Sequence, residues 1–598
     1  MLFFCFLYVV IKHTKWYIKE YYMQKVDQKN RSSVFELLKS YLPLVLLLIF
    51  LTLIANGLNL FVPKIISTAI DTYTKGGFSL NNIIIEFFLV VFGIFVFSYL
   101  QSLVQTYTSE IVARNLRKQF IDKVSVQEYS YINKVTPDKL LTNLTSDIDA
   151  IKIFVSLALA SIVSSVFLII GAGVMLFIID WKLALAVLAV MPFIAIAFFF
   201  ISKKVTKLFK KAQEAIDWLN KIIHESIFGS ALIRILNAQQ IESEKFFTAN
   251  TEAKNISMSI LRLFSGLIPI INFLSNIATL IVVSLGGYFV INGAMSLGNF
   301  TAFNNYIAIL IFPIILLGFM SSAIAQADAS YKRILEVLNA PKEKENGDII
   351  ADIKGDINVD NVSVLFGDKK VVKNVSFDIK AGSKTAIIGP TAAGKTQLLY
   401  ILTGLLKSNS GKIKYDNRDI NDYEKASFHS QVGFVFQDSI IFNMTLRENI
   451  AFSNIVNDET LKKAINTAEL NDFIEALPEK LDTVVSERGT SLSGGQKQRI
   501  MLARALALNP KVLFLDDFTA RIDTMTEQRI IKNIDKNYPN LTLISVAQKI
   551  ASVDNYDKII LLMEGELLAM GRHEELMKTS PEYVQIYKSQ RSINAYEL

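Results

Sequence analysis

The residues Gly389-Pro390-Thr391-Ala392-Ala393-Gly394-Lys395-Thr396 form a complete G-x-x-x-x-G-K-[ST] pattern. It follows the apolar run Lys384-Thr385-Ala386-Ile387-Ile388, which reads as a buried strand. A loop of this kind between strand and helix surrounds a polyphosphate with successive backbone N–H groups and the helix N-terminus behind them. Lys395 would reach the β- and γ-phosphates, and the Thr396 hydroxyl would hold Mg²⁺. A second apolar run, Lys511-Val512-Leu513-Phe514-Leu515, ends in Asp516-Asp517. Alone, that acidic pair could simply cap the next helix. Combined with the phosphate loop, it places a carboxylate where a phosphoryl-transfer site needs its Mg²⁺ partner.

Between these runs lies Leu492-Ser493-Gly494-Gly495-Gln496. The pentapeptide resembles the signature of ATP-binding cassette (ABC) proteins. The chain from roughly Gln24 to Gln590 is similar to an ABC exporter half-transporter of the six-span, type IV fold. The resemblance implies two cassettes sandwiching two ATPs, each between one chain's phosphate loop and the other chain's signature. Ser493, Gly494, Gly495 and Gln496 would then act on a partner's ATP, while Gly389, Thr391, Ala392, Ala393, Gly394, Lys395, Thr396 and Gln397 line this chain's own. Phe366 takes the place of the aromatic that stacks on adenine. Gln437, in Val435-Phe436-Gln437-Asp438, matches the glutamine that contacts Mg²⁺ and the attacking water, with Thr396 and Asp516 completing the Mg²⁺ set. Ser486-Glu487-Arg488-Gly489 resembles the segment that touches the coupling helices, and Asp523 matches the aspartate of the loop after the Mg²⁺ strand, beside an unusual Arg521-Ile522. Ser146-Asp147-Ile148-Asp149 and Glu225-Ser226-Ile227-Phe228-Gly229 look like the two cytoplasmic coupling helices, which gives Asp147, Glu225, Gly229 and Asp523 a coupling role.

The family pattern breaks at three places. The general base after the Mg²⁺ aspartate is normally Glu; here it is Asp517, whose oxygen falls short by about 1 Å or more, from standard bond lengths. The switch residue after Leu541–Ala547 is normally His; here it is Gln548, which donates a hydrogen bond but cannot become cationic. In the phosphate loop, Gln397 replaces a hydroxyl residue and Ala392 stands where many members have Gly. Together these changes weaken the nucleotide-facing half of the site and leave the signature intact. That asymmetry is the pattern of heterodimeric ABC exporters, so a partner subunit with a competent Glu and His is expected. A catalytically active homodimer and a mainly regulatory ATP-binding subunit stay open as alternatives.

The elements that carry this chemistry fall into two unlike halves. Ser40–Pro63, Phe87–Ser109, Ile153–Ile179 and Leu183–Ser202 contain no charged residue, and Leu263–Ala327 is charge-free and long enough for two spans. Six spans are expected, with Gly286-Gly287 and Asn292-Gly293 in the hairpin between the last two. Lys and Arg concentrate in Glu110–Lys152 and Lys203–Arg262, whereas the loops on the other side hold only Lys64, Lys75 and Lys182. The positive-inside rule then places the basic segments and both termini in the cytoplasm, at a cell (plasma or inner) membrane. Apolar residues at helical spacing, such as Ile111, Leu116, Phe120 and Val124, extend the spans beyond the bilayer. After Ala340-Pro341, short β-rich runs alternate with helical patterns.

The expected fold is an all-α six-helix transmembrane domain followed by an α/β P-loop ATPase domain. Its divisions are a doubtful extension at 1–22, a transmembrane domain at 23–335, a linker at 336–350 and a cassette at 351–598. Met1–Ile11 is apolar but too short to span and lacks a basic leader, so translation from Met23 is expected. The net charge of +7 is not a nucleic-acid footprint. Residues 1–340 hold 29 Lys/Arg against 20 Asp/Glu, and the remainder 33 against 35, so the excess belongs to the membrane half. A single cysteine, Cys5, excludes an internal disulfide. The expected cofactors are ATP and Mg²⁺, and the expected partners are a second half-transporter, membrane lipid and a small hydrophobic or amphipathic cargo.

Overall fold

The computed structural model describes residues 33–76, 80–342, 347–366, 369–486, 489 and 491–596. The 1–22 extension, the Met23 start, Cys5, Glu487-Arg488 and the side chain of Phe366 lie outside the described residues. The chain divides into two compact units. One comprises Val135–Pro341 with the chain up to Val126; the other comprises Lys342 onward with Gln127–Lys134.

Six helices of the first unit are long and apolar enough to cross a membrane: α1 (Leu42–Thr74), α2 (Leu80–Val124), α4 (Pro137–Ile179), α5 (Trp181–Phe228), α7 (Gln239–Ile291) and α8 (Leu297–Asn339). Between them stand two short helices, α3 (Tyr129–Val135) and α6 (Ser230–Ile235). α2 spans 45 residues, so the apolar stretch runs without a break into the charged region. Outward faces carry large exposed apolar side chains such as Phe88, Leu89, Phe92 and Phe95, which suit a lipid environment. Inside, α1, α4, α5, α7 and α8 share a core built on Leu60, Leu176, Leu183, Phe303 and Tyr306. With lipid outside, such contacts hold by close packing and interhelical hydrogen bonds. The Tyr306 hydroxyl donates to the Leu60 carbonyl at 2.8 Å. Asp71 at the end of α1 accepts from the Ser296 hydroxyl (2.7 Å) and the Gly298 N–H (2.8 Å), so its carboxylate caps the start of α8. Asn304 and Asn305 donate to the carbonyls of Phe300 and Thr301 on their own helix.

Two sequence expectations are corrected here. The reversal between α7 and α8 falls at Asn292–Ser296 alone. Gly286-Gly287 lie inside α7, where a Cβ on Gly286 would meet Phe300 at 3.1 Å and Leu183 at 3.3 Å, so this glycine serves close packing and not a turn. Asp147 lies within the long helix α4 and not in a separate short helix. It is buried, accepts from the Ser330 hydroxyl at 2.8 Å, and is gripped on both oxygens by the Arg333 guanidinium. A carboxylate this deep persists only when paired. Asp147 therefore ties the third span to the end of the sixth, and Gln127–Lys134 is the upstream segment that clusters with the cassette.

The second unit holds two sheets. A six-stranded sheet has the order β10-β9-β3-β8-β7-β6, from β3 (Lys384–Ile388), β6 (Val432–Val435), β7 (Val512–Asp516), β8 (Thr542–Val546), β9 (Lys558–Met563) and β10 (Glu566–Gly571). Its strands are parallel except β10. β3, β7 and β8 are almost continuously buried, which explains why their sequences are unbroken apolar runs. An antiparallel sheet, β2-β1-β4-β5, is built from β1 (Ile357–Phe366), β2 (Lys369–Ile379), β4 (Ser410–Tyr415) and β5 (Arg418–Asp419).

Candidate functional site

Open parallel sheets place their sites beyond the carboxyl ends of the strands. Here β3 ends at Ile388 just before Gly389, β7 at Asp516, β8 two residues before Gln548, and β6 two residues before Gln437. The register sets Leu515 beside both Val435 and Ser545, so these ends lie along one edge.

The loop after β3 depends on its glycines. Gly389 (φ 151°) and Gly394 (φ 93°) have left-handed backbones, and a Cβ would meet the Leu562 carbonyl oxygen at 2.0 Å or that of Val371 at 2.4 Å. Ala392 also sits left-handed, at φ 64°, where an L-residue costs on the order of 1 kcal/mol. Its exchange for the usual glycine is thus a built-in strain. Helix α9 (Lys395–Leu402) begins at the loop's end. The Lys395 ammonium folds back to donate to the carbonyls of Gly389 (2.9 Å) and Pro390 (2.8 Å). Burial pulls its pKa down, opposed by the carboxylates of Asp517 and Asp516. Thr391 is exposed on the loop, Ala393 is buried beneath it, and Gln397 lies in the first turn of α9.

Thr396 donates to Asp516 Oδ1 at 3.2 Å. Asp516 Oδ2 is buried with no hydrogen-bond partner among the described residues. A buried orphan oxygen beside a hydroxyl fits a hard cation such as Mg²⁺, which takes one or two protein oxygens plus phosphate and water. Burial raises the Asp516 pKa to about 6. The cation needs the carboxylate, so Mg²⁺-dependent ATP binding is expected to weaken up to about tenfold per pH unit below that value and to level off above it. Isothermal titration between pH 5 and 8 measures this, and Asp516→Asn is expected to remove the dependence.

Asp517 adopts a left-handed backbone (φ 51°) and is buried. Its Oδ2 accepts from the Gln548 side-chain amide at 2.6 Å. The two residues that depart most from the family pattern are therefore in direct contact. The Gln548 carbonyl in turn accepts from Gln590 Nε2 (2.7 Å), and Gln590 Oε1 accepts from the Ile550 N–H (2.9 Å). Gln590, on α12 (Pro581–Tyr596), so brackets the switch loop from both sides. Sequence reasoning missed it, because no motif marks a lone glutamine in a C-terminal helix.

The signature opens α10 (Gly494–Ala507) as a capping box: Gln496 N–H donates to the Ser493 hydroxyl (3.3 Å) and Ser493 N–H to Gln496 Oε1 (2.8 Å). A Cβ on Gly494 or Gly495 would meet Arg521, at 3.0 Å from its Cδ and 2.9 Å from its carbonyl oxygen respectively. Asp523 caps α11 (Thr524–Asn537), accepting from the Thr526 N–H at 2.9 Å. Gln437 is exposed. Glu225 pairs loosely with Lys221 (3.8 Å) one turn before Gly229, which ends α5 in the first unit.

In the cassette unit, Tyr129 of α3 packs edge-on against Tyr400 of α9 (centroids 5.5 Å apart), and Glu128 Oε1 accepts from Lys407 at 2.8 Å. That bond holds the Glu128 pKa down, while burial pushes the Tyr400 phenol up. Phe434 and Phe436 complete the aromatic cluster. The Tyr-Ser-Tyr run at 129–131 was the available sequence signal. A separate cavity of about 500 Å³ lies among α5, α7 and α8, lined by Phe198, Phe264 and Phe319 with Gln213, Ser322 and Gln326 as its polar groups.

A model of the ABC transporter transmembrane region matches residues 45–314, and a model described as ABC transporter matches residues 372–520. The Bacillus subtilis protein described as uncharacterized ABC transporter ATP-binding protein YknU is 31% identical over 487 residues, 79% of this chain and 82% of its own. The chain belongs to the ABC transporters. An ATP-dependent lipid A-core flippase of Syntrophus aciditrophicus is 28% identical over 82% of this transporter and 83% of its own length. A solved bacterial Atm1-family ABC exporter with ATP bound superposes with a TM-score of 0.76, covering 92% of this chain and 98% of its own, at 23% identity, a likeness of fold. This ABC transporter is thus a multi-pass membrane protein with a fused membrane domain and cassette, a half-transporter whose ATP hydrolysis is coupled to transport.

Proposed function

We propose that this transporter is the degenerate-site half of a heterodimeric exporter in the cell membrane, with both termini cytoplasmic. It binds ATP and Mg²⁺ through Lys395, Thr396 and Asp516, hydrolyses that ATP slowly, and completes the partner's active site with Ser493, Gly494, Gly495 and Gln496. The observation that carries this reading is the Gln548–Asp517 hydrogen bond. It holds a shortened carboxylate on an amide that cannot take up a proton, beside a signature helix that keeps its capping box. The left-handed Ala392 in the phosphate loop supports it further.

The aromatic cavity with neutral polar groups favours a hydrophobic or amphipathic cargo. Relatives described as lipid A-core flippases support a lipid-like one. ATP turnover of the purified full chain alone tests the proposal. Binding with slow turnover is expected, and brisk hydrolysis by a homodimer would overturn it in favour of an active homodimeric exporter.

A further inference from the structure

Helices α5 and α7 both change character at one level. α5 carries no charge from Leu183 to Ser202 and then presents Lys203, Lys204, Lys207, Lys210 and Lys211. On α7, Arg262 is the last charge before the charge-free run from Leu263 to Ala327. At this boundary the two helices enclose a groove of about 420 Å³ lined by Lys204, Lys207, Leu208 and Lys211 from α5 and Ser259, Arg262 and Leu263 from α7.

The α5 positions fall at i, i+3, i+4 and i+7, one stripe of a helix. Like charges so spaced repel. No carboxylate lines the groove, and none of its four cations makes an ion pair among the described residues, whereas Arg117, Lys152, Lys332 and Arg333 of the same unit each have a carboxylate partner. Orientation in the membrane requires basic residues near this level but not their convergence on one groove; Lys203 and Lys210, outside its lining, meet that requirement.

We infer that this groove binds the phosphate headgroup of an anionic phospholipid from the cytoplasmic leaflet, tying α5 to α7. The occupant follows from the position. The groove sits where both helices leave the apolar layer, the depth of the headgroups, and Leu208 and Leu263 provide an apolar wall that a free phosphate has no use for. Basic pockets between spans on this side recognise such lipids by the same chemistry.

The test uses the full chain purified in a mild detergent, with dioleoyl phosphatidylglycerol or dioleoyl phosphatidylcholine added, and counts retained lipid by native mass spectrometry. Retention of phosphatidylglycerol over phosphatidylcholine is expected. It is expected to fall about fivefold for Arg262→Gln and at least roughly tenfold for Lys204→Gln/Lys207→Gln/Lys211→Gln/Arg262→Gln, while Lys203→Gln/Lys210→Gln keeps it. A thermal melt of each variant separates lost binding from lost fold: phosphatidylglycerol is expected to raise the midpoint of the wild type and of Lys203→Gln/Lys210→Gln, but not that of the quadruple variant. Equal retention by the quadruple variant, equal loss in the Lys203/Lys210 control, or displacement of the lipid by millimolar inorganic phosphate would each overturn the assignment.

Discussion

Replacing Asp517 by glutamate together with Gln548 by histidine is expected to raise ATP turnover at this chain's own site by about a hundredfold, the scale of effect that a 1 Å misplacement of a reacting group has. The single Asp517→Glu is expected to yield much less. The Asp517 carboxylate is anchored by the Gln548 amide at 2.6 Å. A side chain one methylene longer must either break that bond or turn away from it. Histidine in place of Gln548 supplies a group that can carry charge near neutral pH. Single-turnover phosphate release from the full chain reads the four corners of this cycle. Non-additivity is the expected signature, because the two residues touch. Two singles whose gains simply add would show that the contact does not restrain the carboxylate.

Lys395→Met and Ser493→Ala are expected to act on different nucleotides. The first removes a cation otherwise satisfied by two loop carbonyls. Loss of a charged hydrogen bond costs about 1.5–3 kcal/mol, so ATP binding by the isolated chain should weaken roughly ten- to hundredfold. The second removes a hydroxyl at the start of α10, remote in sequence from the phosphate loop. In the proposed heterodimer its effect is expected on the partner's turnover, where loss of one preorganised donor costs about 10²–10³ in rate. Ser493 is also the cap of α10, so its replacement carries about 1 kcal/mol of local destabilisation, which a melting curve detects. If Ser493→Ala weakened nucleotide binding by the isolated chain as strongly as Lys395→Met does, the sandwich reading would fail.

The chemistry of this molecule was legible where it is local. The phosphate loop, the Asp516-Asp517 pair and the signature each lie within a few consecutive residues, and the strand or helix that positions them adjoins them in the chain. The six apolar helices were legible because lipid imposes a length and a composition on each span separately. The Asp517–Gln548 bond was not. Its partners stand 31 residues apart at the ends of neighbouring strands, so the sequence shows two changes that weaken one site but not that they touch. The coupling role given to Asp147 rested on a short Ser-Asp-Ile-Asp pattern. The pattern cannot reveal that Ser330 and Arg333, more than 180 residues later, occupy that carboxylate. Gly286-Gly287 misled for a different reason: a glycine pair suits a turn and a tight helix contact equally well, and only the positions of Phe300 and Leu183 decide between them.

The membership of Gln127–Lys134 in the cassette unit has a consequence for synthesis. Glu128 leaves the ribosome 279 residues before its partner Lys407. At about 5–20 residues per second, the segment waits roughly 15–55 s with Tyr129 unpartnered. The first three spans are therefore laid into the membrane while one of their connections still lacks the surface it packs on. Translation that stops near Pro341 yields a membrane half in which that connection lacks the surface it packs on. The cassette is made after the spans, and its arrival completes a piece of structure begun between the second and third of them.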